Sequence, residues 1–360
     1  MQKILSGKST FDLLPKKTAA RYAGQFETMR SVEKLDRNIY LMECKYDYAL
    51  DELLKKGLSN TAELIEFAGK RMFCGAKNTP LKDGEFGCSA FDTYNEKGEH
   101  LMGRNFDYKS APVMLVHTAP ANGYKSLSFA DCNFMIFGYD KPEDKNGRLR
   151  ALLAPYCCVD GMNEKGLAIA VLEIKAKATA QDTGKTPITT TVMIRTVLDK
   201  AATVEEAIEL FRQFDMHAAF GVDYHFMISD ASGNSVLLEY IDNEIVLFYP
   251  EKHTENGLPF IGVTNHYLDP RGDKTRGSGY ERLRYINETL TENGGSLSEM
   301  QSLELLERVH LEYYHKLGWK VITLWSAVYN CNDLSITVTA GEDYESIYKF
   351  TVGEKKFERI

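Results

Sequence analysis

From residue 88 onward, the chain consists of short apolar segments that alternate with tight-turn sequences. The segments "CSAFDTY" and "HLMGRNFDY" flank the turn "NEKGE", and "YHFMISD" and "SVLLEYI" flank "ASGN". Short segments rich in β-branched and aromatic residues and bounded by Gly, Asn and Asp are typical of β-hairpins. Because a hairpin pairs its two strands antiparallel, this pattern predicts a fold dominated by antiparallel sheets.

Helical segments interrupt the hairpins. The sequence "TVEE" at 203–206 predicts a helix start ahead of "AIELFRQF", and the stretches 279–290 and 296–309 carry apolar residues at helical spacing. Hairpins, then helices, then further strands predict an α+β domain whose helices pack on the outer faces of the sheets.

The first part of the chain has a different pattern. The stretches "YDYALDELLKKGL" and "NTAELIEFAGKRMF" place apolar residues at helical spacing, and residues 74–87 are rich in Gly, Lys and Asp, as in a linker. We therefore predict a helical N-terminal segment over 1–87 and a single domain over 88–360.

The charge of the chain limits its partners. A net charge of −8 without a long basic run argues against a nucleic acid partner. No segment approaches the roughly 20 apolar residues of a membrane-spanning helix, and the N-terminus lacks the apolar stretch of a signal peptide. We expect a cytoplasmic protein without a spanning segment, and a homo-oligomer is compatible with the sequence.

Cysteine and histidine spacing does not indicate a metal site. The seven cysteines are scattered and odd in number, and only Cys157 and Cys158 are close, as an adjacent pair. The eight histidines lack an HExxH motif and a paired spacing with cysteine. We expect no metal and no other cofactor, and most cysteines are expected to be small buried residues.

Cys88 is the exception among the cysteines. It follows Gly87 at the start of a predicted strand, and the hairpin returns Arg104 and Asp107 near that start. A strand cysteine is most often a core residue, and Arg104 with Asp107 is also compatible with a surface ion pair. The combination favours a catalytic group.

The chemistry of such a group follows from its position. If the Gly87–Cys88 bond were cut, Cys88 would carry a free α-amine with a pKa of about 7.7–8.0, a base for its own thiol. The charge of Arg104 favours the thiolate, and Asp107 can orient the amine. Strand alternation puts residues 104 and 107 on opposite faces, so both reach Cys88 only through a bulge or a strand end.

Cys88, Arg104 sixteen residues later and Asp107 three beyond, in the context "GRNFD", resemble the cysteine N-terminal nucleophile (Ntn) hydrolases that act on linear amides. That group includes choloylglycine (bile salt) hydrolases, penicillin V acylases, acid ceramidase and N-acylethanolamine acid amidase. The resemblance implies the Ntn fold, an αββα sandwich of antiparallel sheets flanked by helices. It also implies an oxyanion role for Asn265 in "GVTNHY" and a supporting role for Arg282, with Arg284 as the alternative.

Two further residues have open roles. Glu173 stands where several family members carry Asn, and an ionised carboxylate only accepts hydrogen bonds. Three alternatives follow: Glu173 is protonated, it serves another role, or a backbone N–H is the second donor to the oxyanion. A surface glutamate at a strand edge is equally compatible with the sequence. His266 lines the pocket or lies at its rim. The apolar stretch 110–140 predicts either an acyl pocket or core strands.

The 87 residues before Cys88 resemble the ceramidase and acylethanolamine amidase branch, in which a helical N-terminal piece stays attached after self-cleavage. The resemblance implies hydrolysis of a small-molecule amide with an apolar acyl group, such as a fatty-acyl or bile-acid conjugate. The nucleophile would be an N-terminal cysteine released at Gly87–Cys88. An acyltransferase that uses the same acyl-enzyme, and a non-catalytic binding module on the same fold, are the alternatives.

Overall fold

The computed structural model describes residues 20–71, 87–136, 141–273, 275, 277–316, 318–354 and 356–360. The predicted linker lies outside these residues except for Gly87. Two large sheets and a small one are built from the strands Glu33–Lys34 (β1), Ile39–Glu43 (β2), Gly87–Tyr94 (β3), His100–Lys109 (β4), Val113–Thr118 (β5), Ser126–Asp131 (β6), Cys158–Asn163 (β7), Ala168–Ile174 (β8), Thr186–Thr189 (β9), Phe214–His217 (β10), Asp223–Ser229 (β11), Ser235–Ile241 (β12), Glu244–Phe248 (β13), Gly262–Val263 (β14), Glu312–Tyr314 (β15), Lys320–Asn330 (β16), Ser335–Ala340 (β17), Tyr348–Thr351 (β18) and Phe357–Arg359 (β19).

The strands pair into sheets that are almost entirely antiparallel. Nine described strands form one sheet in the order β1-β2-β5-β6-β7-β8-β11-β12-β13. A second sheet has the order β14-β3-β4-β16-β17-β18-β19, and β15 pairs with β16 beside it. Strands β9 and β10 form a separate parallel pair.

Helices cover the outer faces of the two large sheets. The described α-helices are Ala23–Ser31 (α1), Leu50–Lys56 (α2), Thr61–Arg71 (α3), Cys132–Ile136 (α4), Lys145–Arg150 (α5), Thr190–Lys200 (α6), Val204–Gln213 (α7), Tyr280–Glu292 (α8) and Glu299–Arg308 (α9). Short 3₁₀ helices occupy Ala151–Tyr156 and Ala219–Gly221. None of the described helices has the length and apolar character to cross a membrane.

Strand alternation divides the second sheet between two cores. Cys88 and Phe106 belong to the main core between the sheets, with Val171 from the nine-stranded sheet. Phe91, on the other face of β3, packs instead in a separate core with Leu306 of α9. Truncating such a buried leucine to alanine typically costs about 2–5 kcal/mol of stability. The helix–sheet–sheet–helix layering confirms the predicted αββα sandwich.

The N-terminal segment is not purely helical, because it also supplies β1 and β2. Strand β2 pairs in parallel with β5, with Ile39 opposite Val113, and so belongs to the nine-stranded sheet. The sequence prediction missed this strand because a short run of buried apolar residues shows no period that separates strand from helix. The N-terminal segment is therefore integrated into the sheet rather than attached at its surface.

Candidate active site

Cys88 is the second residue of β3 and lies opposite Phe106 of β4, in a hairpin that places Gly87 opposite Asp107. Side chains two residues apart on a strand share a face. Arg104 and Phe106 therefore lie on the face of Cys88, between the sheets, whereas Asp107 lies on the opposite face. The Cys88 side chain is buried, and its sulfur is 3.8 Å from the carbonyl oxygen of Val171.

Arg104 is fully buried beside Cys88 and is held by an ion pair. Its Nε donates to Asp160 Oδ2 at 2.6 Å, and its Nη2 donates to the Val171 carbonyl at 2.9 Å. The indole N–H of Trp325 donates to the same Asp160 oxygen at 3.0 Å. These bonds fix a positive charge on the thiol side of the hairpin.

Asp107 takes part in a second network. Its Oδ2 accepts from Arg282 Nη1 at 2.5 Å, and its Oδ1 accepts from the Thr323 hydroxyl at 2.6 Å. A Cβ added to Gly87 would lie 3.0 Å from Asp107 Oδ2 and 2.8 Å from a Leu311 methyl carbon. The Asp107 carboxylate thus packs against the residue that precedes Cys88, in a space that fits glycine best.

The structure resolves the predicted conflict between residues 104 and 107. The β3–β4 register is regular over the whole hairpin, and the register shift lies on the other side of β4, between Thr323 and Trp325 of β16. Arg104 approaches Cys88 from the thiol side, and Asp107 approaches the Gly87–Cys88 junction where β3 begins. No bulge in the hairpin is needed.

Arg282 connects Asp107 to the backbone of Cys88. Its Nη2 donates to the Cys88 carbonyl oxygen at 2.9 Å and to Asn265 Oδ1 at 3.1 Å. Arg284 instead pairs with Glu281 and Glu288 on the exposed face of α8. Of the two candidate arginines, Arg282 is therefore the one at the site.

Asn265 binds the nitrogen of Cys88. Its Oδ1 accepts the Cys88 backbone N–H at 2.7 Å, and its Nδ2 donates to the Glu173 carbonyl at 2.9 Å. The carboxamide orientation follows from these partners, since the oxygen faces donors and the nitrogen faces an acceptor. In this arrangement the predicted oxyanion donor lies between Cys88 and β8.

Glu173 and His266 differ in their placement. Glu173 is buried on β8, a central strand between β7 and β11, and it lines the cavity beside Cys88. The alternative of a surface glutamate at a strand edge is wrong. His266 lies outside that cavity: its ring stacks on Tyr280 with centroids 4.0 Å apart, and its Nδ1 is 3.1 Å from the Ser278 carbonyl.

Burial raises the pKa of the Cys88 thiol, while the charge of Arg104 opposes that rise and the charge of Asp107 adds to it. Arg104 thus acts in the predicted direction, but desolvation outweighs it. With the Gly87–Cys88 bond intact, the thiol is protonated at neutral pH and needs a base to become a nucleophile.

A small apolar cavity lies beside Cys88. Its volume of about 20 Å³ holds about one water molecule. Two of its lining residues, Phe134 and Phe220, stack on each other with ring centroids 5.5 Å apart, and Phe220 has a positive φ of 58°. Apart from Cys88, the lining residues are Phe106, Phe134, Val159, Val171, Glu173, Thr190, Thr191, Phe220 and Tyr224.

The described part of the stretch 110–140, residues 110–136, divides between the two predicted roles, and residues 137–140 lie outside the described residues. Strands β5 and β6 lie in the main core, whereas Phe134 of α4 lines the cavity.

The sequence reasoning missed Asp160 and Thr323, which anchor Arg104 and Asp107. An aspartate inside the apolar run "YCCVDGM" was a signal for Asp160, but a threonine in a strand is too ordinary to signal Thr323.

Comparison with known families gives a match over most of the chain. The family described as acyl-coenzyme A:6-aminopenicillanic acid acyl-transferase matches residues 94–345. The match begins just after Cys88 and includes Arg104, Asp107, Asn265 and Arg282.

Individual relatives match more locally or at the level of fold. Penicillin V acylase from Pectobacterium atrosepticum is 32% identical over an alignment of 108 residues, and the match covers 26% of this chain and 28% of that protein. The chain thus matches little more than a quarter of this curated relative. A crystal structure of a variant of conjugated bile acid hydrolase from Clostridium perfringens has a TM-score of 0.51 and 17% identity, and covers 76% of this chain and 96% of that one. At that identity the likeness concerns the fold.

Proposed function

Because the chain belongs to the acyl-coenzyme A:6-aminopenicillanic acid acyl-transferase family, we propose that it is an amidase that uses Cys88 to hydrolyse a linear carbon–nitrogen bond. The chain first cuts itself at Gly87–Cys88, and the new N-terminal cysteine is the nucleophile. The substrate is a small-molecule amide with an apolar acyl group, such as a fatty-acyl or bile-acid conjugate.

In the self-cleavage step, the Cys88 sulfur adds to the carbonyl carbon of Gly87. The bond from that carbon to the Cys88 nitrogen breaks, and the nitrogen takes up the proton that the thiol gives up. Water then hydrolyses the thioester, which releases the Gly87 carboxylate and restores the thiol. The tight space at Gly87, next to Asp107 and Leu311, supports this step because it fixes the position of the bond to be cut.

After cleavage, the Cys88 α-amine is the base for its own thiol. A free α-amine has a pKa of about 7.7–8.0 and is therefore partly unprotonated at neutral pH. A base is required because burial raises the pKa of the Cys88 thiol. Asn265 Oδ1, which already accepts from this nitrogen at 2.7 Å, can orient the amine toward the sulfur.

In the hydrolytic cycle, the Cys88 sulfur attacks the amide carbon and its proton passes through the amine to the leaving nitrogen. The C–N bond breaks, the amine product departs, and the acyl group remains on sulfur as a thioester. The α-amine then takes a proton from water as the water attacks this thioester. The carbon–sulfur bond breaks, the sulfur takes the proton back from the amine, and the carboxylic acid leaves. The negative oxygen formed at each attack needs donors already in place, and the Asn265 amide is the side-chain candidate.

One observation carries the proposal: side chains bind both the backbone nitrogen and the carbonyl oxygen of Cys88. Asn265 Oδ1 accepts from this nitrogen, and Arg282 Nη2 holds the Cys88 carbonyl at 2.9 Å. A core cysteine needs neither contact. An N-terminal amine that works as a base needs both its position and its orientation fixed.

The cavity beside Cys88 supports an apolar acyl group. Its walls are mainly aromatic and aliphatic side chains, as is usual for ligand sites. Its small volume implies that an acyl group longer than a few atoms enters only when lining side chains move.

The N-terminal piece remains attached after cleavage in this proposal. Strand β2 is paired with β5 through a register of five residues, and α1 and β2 contribute Phe26, Met29 and Tyr40 to the main core. Cutting at residue 87 leaves these contacts in place. The two fragments should therefore coelute on size exclusion under native conditions and separate only in denaturant.

The experiment that tests the function is acid release from a panel of amides. Purified protein is incubated with fatty-acyl, bile-acid and phenoxyacetyl amides, with Cys88→Ser as the matched control. We expect acid release from at least one class and a large loss with Cys88→Ser. If no amide is cleaved by protein that has cut itself at residue 88, the hydrolase proposal fails and a binding module becomes the better account.

The same panel includes an added amine, because the family is described by an acyl transfer. Both reactions share the thioester on Cys88 and differ in what attacks it. Free acid as the main product at millimolar amine supports hydrolysis, and a new amide as the main product makes the protein an acyltransferase.

A further inference from the structure

The segment that carries Asn265 crosses from one sheet to the other. Before it, β14 pairs with β3 in the second sheet. After it, the backbone N–H groups of Leu268 and Asp269 donate to the Glu239 carboxylate of β12, at 2.8 and 3.2 Å. Asn265 thus lies on a bridge between the sheets, and the anchors of that bridge set its position.

His225 and Glu239 form one anchor. His225 of β11 has Nδ1 at 2.8 Å from Glu239 Oε1 and Nε2 at 2.8 Å from the Thr264 carbonyl oxygen. Both side chains are fully buried. The Thr264 carbonyl belongs to the peptide unit that ends at the Asn265 nitrogen, so the histidine ring fixes the plane from which Asn265 projects.

Asp92 forms the other anchor. Its Oδ1 accepts the Ile261 N–H at 2.6 Å, and its backbone N–H donates to the Ile261 carbonyl at 3.1 Å. His100 lies 3.3 Å from Asp92 Oδ2. Each end of the segment is therefore held by a buried histidine–carboxylate pair, one from each sheet.

A buried pair of ionisable side chains is an expensive way to stabilise a fold. Replacing such a pair with apolar residues of similar volume is often neutral or stabilising, so its presence is weak evidence for a stability role. The hydrogen bonds of such a pair specify a unique geometry, because each bond needs a particular donor and a particular acceptor in a particular direction. The His225–Glu239 pair fixes hydrogen-bond directions on both sides of Asn265. Before it the bound atom is the Thr264 carbonyl oxygen, and after it the bound groups are the backbone N–H groups of Leu268 and Asp269.

We propose that His225 and Glu239 are positioning residues that hold the Asn265 carboxamide against the Cys88 nitrogen. The inference rests on the proposed function for its catalytic consequence, though not for the structural coupling itself. Neither side chain lines the cavity beside Cys88, so both act through Asn265 rather than on the substrate.

Two variants and one control test this coupling in the full chain. His225→Gln keeps a polar side chain but cannot bind both Glu239 Oε1 and the Thr264 carbonyl oxygen in the same geometry. Glu239→Gln also stays polar but cannot accept from the N–H groups of both Leu268 and Asp269 in the same geometry. The control is Asp199→Asn, which weakens another buried pair, Arg195–Asp199 at 2.8 Å, away from Asn265. Thermal unfolding of all three measures the general loss of stability.

Two readouts separate positioning from stability. Hydrogen exchange should become faster in peptides covering 261–269 for both variants and remain unchanged there for Asp199→Asn. In protein that has cut itself, kcat should fall roughly 10-fold to 100-fold, as for a misplaced catalytic group, with KM changed less than about 2-fold because the Asn265 donor acts in the transition state. Alkylation of Cys88 should keep its rate, since the thiol environment is intact.

The outcomes distinguish this inference from the proposed function. If the unaltered protein is active and exchange at 261–269 does not change in either variant, the inference is overturned. A kcat loss no greater than that of Asp199→Asn at equal loss of thermal stability overturns it as well. Faster exchange at 261–269 in a protein that cleaves no amide supports the coupling while the proposed function fails.

Discussion

The two faces of the β3–β4 hairpin carry different kinds of polar network. On the inner face, Arg104 is fully buried and paired with Asp160 beside the Cys88 sulfur. On the outer face, Asp107 is bound by Arg282, whose side chain is 12% exposed, beside Gly87 and the Cys88 backbone. The inner network lies on the thiol side of Cys88, and the outer network lies beside Gly87 and the Cys88 backbone.

This difference explains how one hairpin brings two charges of opposite sign to one residue. Strand alternation separates Arg104 from Asp107, so they do not neutralise each other. Instead each is neutralised by a partner from another strand or helix, Asp160 or Arg282. Their effects on Cys88 are therefore separable by mutation.

The largest expected effect is on the inner face. Arg104→Met leaves the Asp160 carboxylate buried without its cation, and breaking a buried ion pair typically costs about 3–5 kcal/mol. Denaturant unfolding measures this loss. Arg104→Lys should recover only part of it, because an ammonium lacks the planar fork that reaches both Asp160 and the Val171 carbonyl. Equal stability of Arg104→Met and the unaltered protein would remove the inner network from the account.

The next effect concerns Asn265, which binds the Cys88 nitrogen and Arg282. Asn265→Ala should lower kcat by about 10²–10³, as loss of an oxyanion donor does, with little change in KM. Asn265→Asp should be at least as harmful, because it places a carboxylate beside the developing negative charge. Cleavage at residue 87 must be confirmed in each variant before its rates are compared. Near-normal turnover by a cleaved Asn265→Ala protein would assign the oxyanion to a backbone N–H.

A smaller stability effect is expected on the outer face. Asp107→Asn keeps a hydrogen-bonding oxygen for Thr323 but loses the charge that faces Arg282. Hydrogen bonds to charged groups contribute roughly 1.5–3 kcal/mol, so unfolding should show a loss in that range, below that of Arg104→Met. The same variant should slow self-cleavage, which a time course on denaturing gels measures. Cleavage at an unchanged rate would limit Asp107 to a structural role.

The smallest effect is a shift in the pH dependence of thiol alkylation, with opposite signs for the two faces. Arg104 lowers and Asp107 raises the pKa of the Cys88 thiol. Alkylation of Cys88, mapped by peptide mass, should therefore move to higher pH in Arg104→Met and to lower pH in Asp107→Asn. Cys44 is an internal control, because burial raises its pKa to about 12 and neither variant is near it. Shifts of the same sign would contradict the separation of the two networks.

The sequence predicted the hairpin architecture because turn residues and strand composition are local signals. It also predicted the meeting of Cys88, Arg104 and Asp107, since a hairpin of known turn position sets its own register. The contacts of Arg282 and Asn265 came from the family resemblance, because no local pattern relates residues so distant along the chain.

The errors and omissions have a common physical cause. Strand β2 was missed because its partner β5 is 70 or more residues away and pairs with it in parallel. The burial of Glu173 was open because a strand's place in a sheet depends on pairing order, which one strand's sequence does not contain. Asp160, Thr323 and the His225–Glu239 pair were missed for the same reason, since each acts on a residue of another strand or segment.

The central claim is that Cys88 becomes an N-terminal residue before it acts as a nucleophile. Intact mass measurement of the denatured protein tests it most directly, with Cys88→Ala as the control. The account predicts two fragments, 1–87 and 88–360, for the unaltered protein and a single chain of 360 residues for Cys88→Ala. An unaltered protein that hydrolyses amides at full rate while its mass remains that of the uncut chain would contradict it.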